Sequence, residues 1–252
     1  MWRYLASALA MLVWASAAAS AQLVVFCPGA VRGVVTELAR EYERDSGNTV
    51  KFEFGTAGGL QKRAAAGDAA DVVIVTAGGL DELAKQGKAV ASSKRNVGKV
   101  GVGVAVRAGA PKPDISTPES FRETMLHARS VMYADPALGG QSGIHVARVF
   151  ERLGIAADMK SKTNLRPGAP QGLAEVAKGD IEIGLGQVSE IVAAKGVTLV
   201  GPLPPALQNT LTFAAGRMTN ARDREAADRF IAFLVSPQAR GRFAGAGFDR
   251  AE

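Results

Sequence analysis

Short apolar runs alternate with helical stretches along most of this chain. Leu23 to Phe26 is an apolar run that ends at a proline and a glycine, and Asp71 to Val75 is a second one. Between them, Val31 to Ser46 carries apolar residues at helical spacing and is followed by Gly47, which is typical of a helix C-terminus. Val50 to Phe54 alternates apolar and polar residues, as a strand does. This order predicts a mostly parallel sheet with helices on both faces.

The alternation resumes in the second half of the chain. Val100 to Val106, Ser130 to Tyr133 and Ile181 to Leu185 are predicted strands, with helices between them. Near the end, Thr210 to Ala214 is a predicted strand and Arg222 to Leu234 a predicted helix. Ligands of such sheets bind beyond the carboxyl ends of the strands, so the strand-to-helix turns are the places where a site is expected.

The N-terminus, residues 1–21, has the pattern of a secretory signal peptide. Arg3 supplies a positive charge, Leu5 to Trp14 is apolar, and Ala19-Ser20-Ala21 is a small-residue cleavage pattern. A membrane anchor is the alternative, and the short apolar stretch disfavours it. We therefore expect a mature chain that starts at Gln22, is soluble and works in the periplasm.

Composition excludes several functional classes. The formal net charge is +6, but the basic residues are scattered and aromatic residues make up only 6%, so a nucleic-acid partner is not expected. The single cysteine, Cys27, cannot form an internal disulfide, and its place at a strand end indicates a small apolar packing residue. No metal or cofactor motif is present. A nucleophile elbow, a Walker loop and a paired-histidine motif are also absent, so no enzymatic activity is expected.

Three loops from a strand into a helix are built of small residues. They are Pro28 to Ala30, Thr56 to Gly59 and Gly139 to Gly143. Small residues let backbone N–H groups approach a ligand, and a helix start adds partial positive charge, so the loops predict a small anionic ligand. Arg32 and Arg166 could add charge-assisted hydrogen bonds. The alternative is that these are tight turns that need glycine for backbone reasons alone.

Several segments resemble the periplasmic molybdate-binding protein family. They are Leu23 to Val31, Tyr42 to Phe54, the run from Ala64 to Ala77, the helix from Ser142 to Ile155 and the ending from Phe233 to Phe248. The resemblance implies an α/β, two-lobed periplasmic-binding-protein fold of type II, whose lobes are mostly parallel sheets flanked by helices. It places two hinge crossovers near Val104 and Phe213. Lobe 1 is then 22–104 plus 213–252, and lobe 2 is 105–212. The resemblance also implies a monomer that serves an ABC-transporter permease in the inner membrane.

The ligand loops depart from that family's pattern. Ala30 and Ala57 stand where the resemblance implies serine hydroxyls, and Gln187 stands in place of a tyrosine. Backbone donors near Ser142 and Ala169 can persist. A tetrahedral oxyanion would lose about 1–3 kcal/mol for each missing hydrogen bond, which favours an organic carboxylate over molybdate or tungstate. Sulfate, phosphate and phosphonate remain alternatives. The predicted ligand-binding residues are Gly29, Ala30, Arg32, Thr56, Ala57, Gly58, Ser142, Gly143, Arg166, Ala169 and Gln187.

Two other functional classes stay open at this point. A ligand-binding adhesin, or a sensor partner with the same fold, would bind its ligand without feeding a transporter. A hydrolase or transferase would need a nucleophile with a base, and Thr56, Ser142 and Cys27 have no evident partner in the sequence.

Overall fold

The computed structural model describes residues 20–251. The predicted signal peptide lies outside the described residues, apart from its last two positions. Within residues 20–251, none of the helices combines the length and the apolar character that a membrane span requires.

The first of two five-stranded sheets has the strand order β2-β1-β3-β10-β4. Strands β1, β2 and β3 pair in parallel, and β10 runs antiparallel to both β3 and β4, so four of its five strands point the same way. The strands are β1 (Gln22–Pro28), β2 (Thr49–Gly55), β3 (Val72–Thr76), β4 (Arg95–Val100) and β10 (Leu211–Arg217). Its helices are α1 (Gly29–Ser46), α2 (Ala57–Ala66), α3 (Ala77–Lys85), α9 (Arg224–Leu234) and α10 (Pro237–Gly245).

The second sheet repeats this arrangement in the order β7-β6-β8-β5-β9. Here β6, β7 and β8 are parallel and β5 runs against its neighbours β8 and β9. The strands are β5 (Val102–Arg107), β6 (Val131–Ala134), β7 (Thr163–Arg166), β8 (Ile183–Gln187) and β9 (Val197–Pro202). The helices are α4 (Pro118–His127), α5 (Gln141–Arg152), α6 (Ala156–Lys160), α7 (Ala169–Lys178) and α8 (Val188–Ala193). The predicted mostly parallel sheets are thus confirmed.

The chain crosses between the sheets twice. It leaves the first sheet at Val100 and enters the second at Val102, and it returns between Pro202 and Leu211. The crossovers predicted near Val104 and Phe213 therefore fall a few residues inside β5 and β10. The apolar run from Val100 to Val106 carries no mark of the point at which the chain changes sheets, so its pattern could not place the crossover.

Alternation along β1 explains how the first sheet is covered on both faces. Leu23, Val25 and Cys27 point into the cluster formed with α1, α9 and α10. Phe26 points the other way, into the cluster under α2 and α3. Because both faces are buried, the strand is an unbroken apolar run. Cys27 is fully buried and burial raises the pKa of its thiol far above the ordinary value, so it packs as an apolar residue, as the sequence indicates.

Candidate functional site

Four helices begin at one cavity between the two sheets. Helices α1 and α2 follow strands of the first sheet, and α5 and α7 follow strands β6 and β7 of the second. Parallel strands bring their carboxyl ends to one edge of a sheet, so the helix starts from the two sheets face each other. The cavity has a volume of about 230 Å³. It is lined by residues 28–30, 32, 54–57, 134, 140–142, 167–171, 187, 190 and 213.

Helices α1, α5 and α7 differ from the other longer helices because no side chain caps their N-termini. Their N-cap residues are Pro28, Gly140 and Gly168, and none of these has a side-chain oxygen to accept from the first N–H groups. Helices α3, α4, α9 and α10 lie away from the cavity and are each capped by a Thr, Asp or Ser side chain. The starts of α1, α5 and α7 therefore keep backbone donors and partial positive charge for a ligand.

The fourth helix, α2, is capped within the chain. The hydroxyl of Thr56 accepts from the N–H of Gly59 (3.0 Å) and donates to the carbonyl oxygen of Leu138 in the second lobe. The N–H of Gly58 donates to the carbonyl oxygen of Gly139 (3.3 Å). Thr56 and Gly58 thus join the two lobes beside the cavity. Because the Thr56 hydroxyl is already engaged on both sides, the donors left for a ligand come from elsewhere in the lining.

Most of the predicted ligand-binding residues are brought together. Those in the lining are Gly29, Ala30, Arg32, Thr56, Ala57, Ser142, Ala169 and Gln187. Gly58, Gly143 and Arg166 are not part of the lining. Gly58 faces Gly139 across the lobes. Gly143 lies against β6, where a Cβ built on it would stand 1.7 Å from the carbonyl oxygen of Ala134.

Arg166 is engaged in an ion pair instead of facing the cavity. Its guanidinium bonds the carboxylate of Glu175 through two nitrogens, with Nε–Oε1 at 2.9 Å and Nη2–Oε2 at 2.7 Å. Chiefly through this hydrogen bonding, Arg166 lowers the pKa of Glu175. The sequence could not place this pair in advance, because no local pattern shows that Arg166 at the end of β7 and Glu175 on α7 face each other.

Arg32 lies at the mouth of the cavity on α1. Its guanidinium carbon is 4.1 Å from the ring centroid of Phe54, an arrangement that holds a cation over an aromatic face. Among the described residues it forms no ion pair, unlike Arg166. Arg32 therefore presents an uncompensated positive charge at the cavity.

Two buried polar side chains in the lining have no partner among the described residues. Gln187, only 3% exposed, leaves both its amide nitrogen and its amide oxygen unbonded. Ser142, 4% exposed, has a hydroxyl without a hydrogen bond. A buried amide without partners costs free energy, so its retention at the cavity points to a ligand or to water that bonds it.

The one acidic residue in the described lining is Glu190, which the sequence patterns do not predict. It lies on α8, three residues beyond Gln187, whose backbone N–H donates to Glu190 Oε2 (3.3 Å). Protein surrounds most of its carboxyl, and the side chain lines both this cavity and a neighbouring groove. Desolvation by burial raises the pKa of Glu190 to about 7, and the hydrogen bond from Gln187 opposes this only in part. No sequence signal marks it, because an anion site favours basic residues.

Metal binding has no support in the described part of the chain. Within residues 20–251, no group of three or more His, Cys, Asp and Glu side chains is arranged to hold a metal ion. The two histidines bond to backbone carbonyl oxygens, His127 to that of Glu123 and His145 to that of Leu207. The chemistry that the cavity offers is hydrogen bonding, positive charge and a titratable carboxyl.

Comparison with known proteins identifies the family. The bacterial extracellular solute-binding protein family matches residues 23–249, which is nearly the whole chain that the structure describes. The chain belongs to this family. The resemblance to its molybdate-binding members is also confirmed, because the molybdate-binding protein ModA of Escherichia coli (strain K12) is 22% identical over 229 residues, with 90% of this chain and 88% of ModA covered.

Two further similarities bear on this solute-binding protein. A protein of Pseudomonas sp. named aconitate isomerase is 32% identical over 225 residues, with 86% of this chain and 83% of that protein covered. The solved periplasmic molybdate-binding protein of Azotobacter vinelandii is 18% identical with a TM-score of 0.75, over 91% of this chain and all of that one. The structural similarity supports the two-lobed fold, and the isomerase shows that a relative of this chain is named as an enzyme.

Proposed function

We propose that this chain is exported to the periplasm, where it captures a small organic polycarboxylate in the cavity between its lobes and presents it to an ABC-transporter permease. Ligand that contacts both lobes favours the closed arrangement, which the permease then recognises. The family supports solute binding. The ligand, the permease and the periplasmic location belong to the proposal.

The observation that carries the proposal is the composition of the cavity lining. Backbone donors at three uncapped helix starts, the free amide of Gln187 and the unpaired charge of Arg32 suit the oxygens of a carboxylate. An arginine bonds a carboxylate with two parallel N–H groups, which adds direction as well as charge. The amide of Gln187 can donate to one oxygen of the ligand and accept from a protonated one.

The lining also supports a ligand larger than a tetrahedral oxyanion. The cavity volume of about 230 Å³ is many times the roughly 10–15 Å³ that a single water requires by the same measure. Ala30 and Ala57 contribute methyl groups where hydroxyls would be needed to surround a molybdate, and the Thr56 hydroxyl is engaged with Leu138. Aconitate, which the 32% identical relative is named for, is a tricarboxylate. Both considerations favour polycarboxylates.

A ligand screen with two arginine variants tests the proposal. We expect tricarballylate, citrate or cis-aconitate to raise the melting temperature of the chain from Gln22 onward, because a ligand that binds only the folded state stabilises it. Arg32→Ala is expected to weaken binding about tenfold, the loss of one charge-assisted hydrogen bond at an exposed position. Arg166→Ala serves as the matched control and should leave affinity within about twofold. Isothermal titration calorimetry measures both affinities.

The screen has clear contrary outcomes. A shift with molybdate or tungstate and none with carboxylates would show that backbone donors suffice for an oxyanion and would overturn the carboxylate assignment. Equal losses of affinity in the two arginine variants would remove Arg32 from the site.

Glu190 makes anion binding depend on pH. A bound anion disfavours the carboxylate form of Glu190, so the pKa rises above about 7 on binding and the complex takes up a proton. Affinity for tricarballylate should therefore fall by up to about tenfold per pH unit above pH 7. Below pH 6, where Glu190 is protonated with and without ligand, it contributes no dependence. Calorimetry at pH 6, 7 and 8 measures this, and Glu190→Gln should remove the part of the dependence that the ligand's own titration does not explain.

Isomerisation of an unsaturated tricarboxylate is the second candidate function. The 32% identity with the protein named aconitate isomerase favours it. Incubation of the protein with cis-aconitate, followed by chromatography for the trans isomer, tests this activity. If the protein binds cis-aconitate and forms no trans isomer, capture for transport is the function that the result supports.

A further inference from the structure

Glu190 occupies a position that capture of an anion does not explain. It is the one acidic side chain in the described lining of a cavity that otherwise offers donors and positive charge. A carboxylate there repels an anionic ligand and weakens its binding. Its hydrogen bond from the Gln187 N–H could be accepted equally well by a glutamine at position 190.

The carboxyl also lies between the cavity and a second opening. A groove between α1 and α8 has Glu190 in its wall, together with Thr36 and Lys195. Glu190 thus lines the ligand space on one side and a groove open to solvent on the other, so a proton on it can exchange with solvent.

Few charged groups line the cavity or the groove beside Glu190. They are Arg32, Glu37 and Arg40 of α1, and Lys195 beyond the end of α8. Helix α7 contributes Pro170 and Ala174, which do not titrate, and β8 contributes Gln187. Strands β5 and β9 contribute apolar residues to the cluster with Ile191 of α8. Ionisation of Glu190 is therefore governed by its own burial, with a mainly basic set of charges at the groove.

We propose that Glu190 is a catalytic residue that removes a proton from a carbon atom of the bound polycarboxylate and returns it to another carbon. The inference rests on the proposed binding of carboxylates in this cavity. A proton next to a carboxylate is removable when the electron pair left behind can spread over the rest of the ligand, as it does across a neighbouring double bond. The required class of ligand is therefore an unsaturated polycarboxylate.

The step balances without a co-reactant. The carboxylate oxygen of Glu190 takes a proton from the CH₂ group between a carboxylate and the double bond, and that C–H bond breaks. The electron pair of that C–H bond forms a new double bond to the neighbouring carbon. The electrons of the original double bond shift toward the far carboxylate, which gives an extended enolate. Glu190 then gives a proton to the far carbon, where a C–H bond forms. The double bond has moved by one position, and Glu190 is again a carboxylate.

The other groups in the lining suit this role. Backbone N–H groups at the helix starts, together with Arg32, stabilise the negative charge that develops on the carboxylate oxygens. A base acts best when its pKa lies near the working pH, and burial brings that of Glu190 to about 7. Because burial disfavours its charged form, Glu190→Gln should fold and melt at a higher temperature than the unaltered protein at pH 8.

The experiment uses cis-aconitate in D₂O with the mature chain from Gln22 onward. We expect proton NMR to show deuterium entering the ligand or the trans isomer forming, and Glu190→Gln to slow both by at least a hundredfold while still binding. Glu175→Gln is the matched control, since Glu175 lies outside the cavity and should leave the rate unchanged. Tricarballylate, which lacks the double bond, should bind and exchange no protons.

Several results would overturn the inference. A protein that binds cis-aconitate but catalyses neither exchange nor isomerisation has no proton-transfer function, and the proposed capture of carboxylates survives. A Glu190→Gln variant that reacts as fast as the unaltered protein removes Glu190 from the reaction. Absence of any binding would overturn both proposals.

The unaltered protein supplies an independent test that needs no variant. At saturating ligand the rate should rise about tenfold per pH unit below the pKa of Glu190 in the complex and level off above it. A rate that does not change between pH 5 and pH 8 would exclude Glu190 as the base.

Discussion

Replacing Gly143 by alanine is expected to lower the free energy of unfolding by about 3 kcal/mol, the upper end of the cost of overpacking a core. The added Cβ would stand 1.7 Å from the carbonyl oxygen of Ala134 and 2.8 Å from its carbonyl carbon. Both atoms are backbone of β6, a strand buried between β7 and β8. The start of α5 must then move away from the sheet, which also displaces Ser142 from the cavity. Urea denaturation followed by circular dichroism measures the change.

Two other glycines provide controls for this prediction. At Gly172 a new Cβ would stand 1.8 Å from the terminal methyl of Met132, a flexible side chain that can change rotamer, so Gly172→Ala should cost only about 1 kcal/mol. Gly78 lies in α3 with nothing near its Cβ position, and alanine there should stabilise the protein by about 0.5–1 kcal/mol. Equal losses at Gly143 and Gly172 would contradict the argument from backbone rigidity.

Asp71→Ala is expected to destabilise the protein by about 2–4 kcal/mol, because two backbone N–H groups lose a buried acceptor, while the Arg222 side chain, 61% exposed, remains solvated. The side chain is 2% exposed. Its carboxylate accepts from the backbone N–H groups of Val24 and Arg222, both at 2.8 Å, and from the Arg222 guanidinium at 3.1 Å. It therefore ties β1 to the segment that precedes α9. Without it, two partly buried N–H groups lose their acceptor.

Asp68 is the matched control for Asp71. It lies three residues earlier and pairs with Arg63, and both side chains are 43% exposed. Exposed pairs of this kind contribute about 0–1 kcal/mol, so Asp68→Ala should change the denaturation midpoint little. Asp71→Asn should be milder than Asp71→Ala, since an amide keeps one acceptor. A similar small loss at both aspartates would show that the Asp71 network does not hold the two segments together.

Four of the five strands of the first sheet could be predicted from local patterns. The apolar runs of β1 and β3 are buried on both faces, and the spacing along α1 matches its single buried stripe, so sequence periodicity and burial carry the same information. Strands β4, β7 and β9 were not predicted. Each carries polar, charged or only partly buried residues, so its apolar pattern is weak.

The candidate site was likewise predictable only in part from the sequence. Glycine-bearing loops before helices predicted much of the cavity lining, because the turns at Pro28 to Ala30 and at Gly139 to Gly143 are visible in the sequence. The turn before α7, at Gly168, was not among the predicted loops. Arg32 and Arg166 look alike in sequence, and only the position of Glu175 separates a free cation from a neutralised one.

The sequence by itself determined most of the strand-and-helix order, the mostly parallel sheets and the small-residue turns before helices, because these follow from side chains within a few residues of one another. The tertiary structure decided which sheet each strand joins, since Val100 and Val102 belong to one apolar run and to two sheets. It also decided the state of Glu190, because the protonation of a carboxyl depends on the protein packed around it from distant parts of the chain, and no local pattern records that burial.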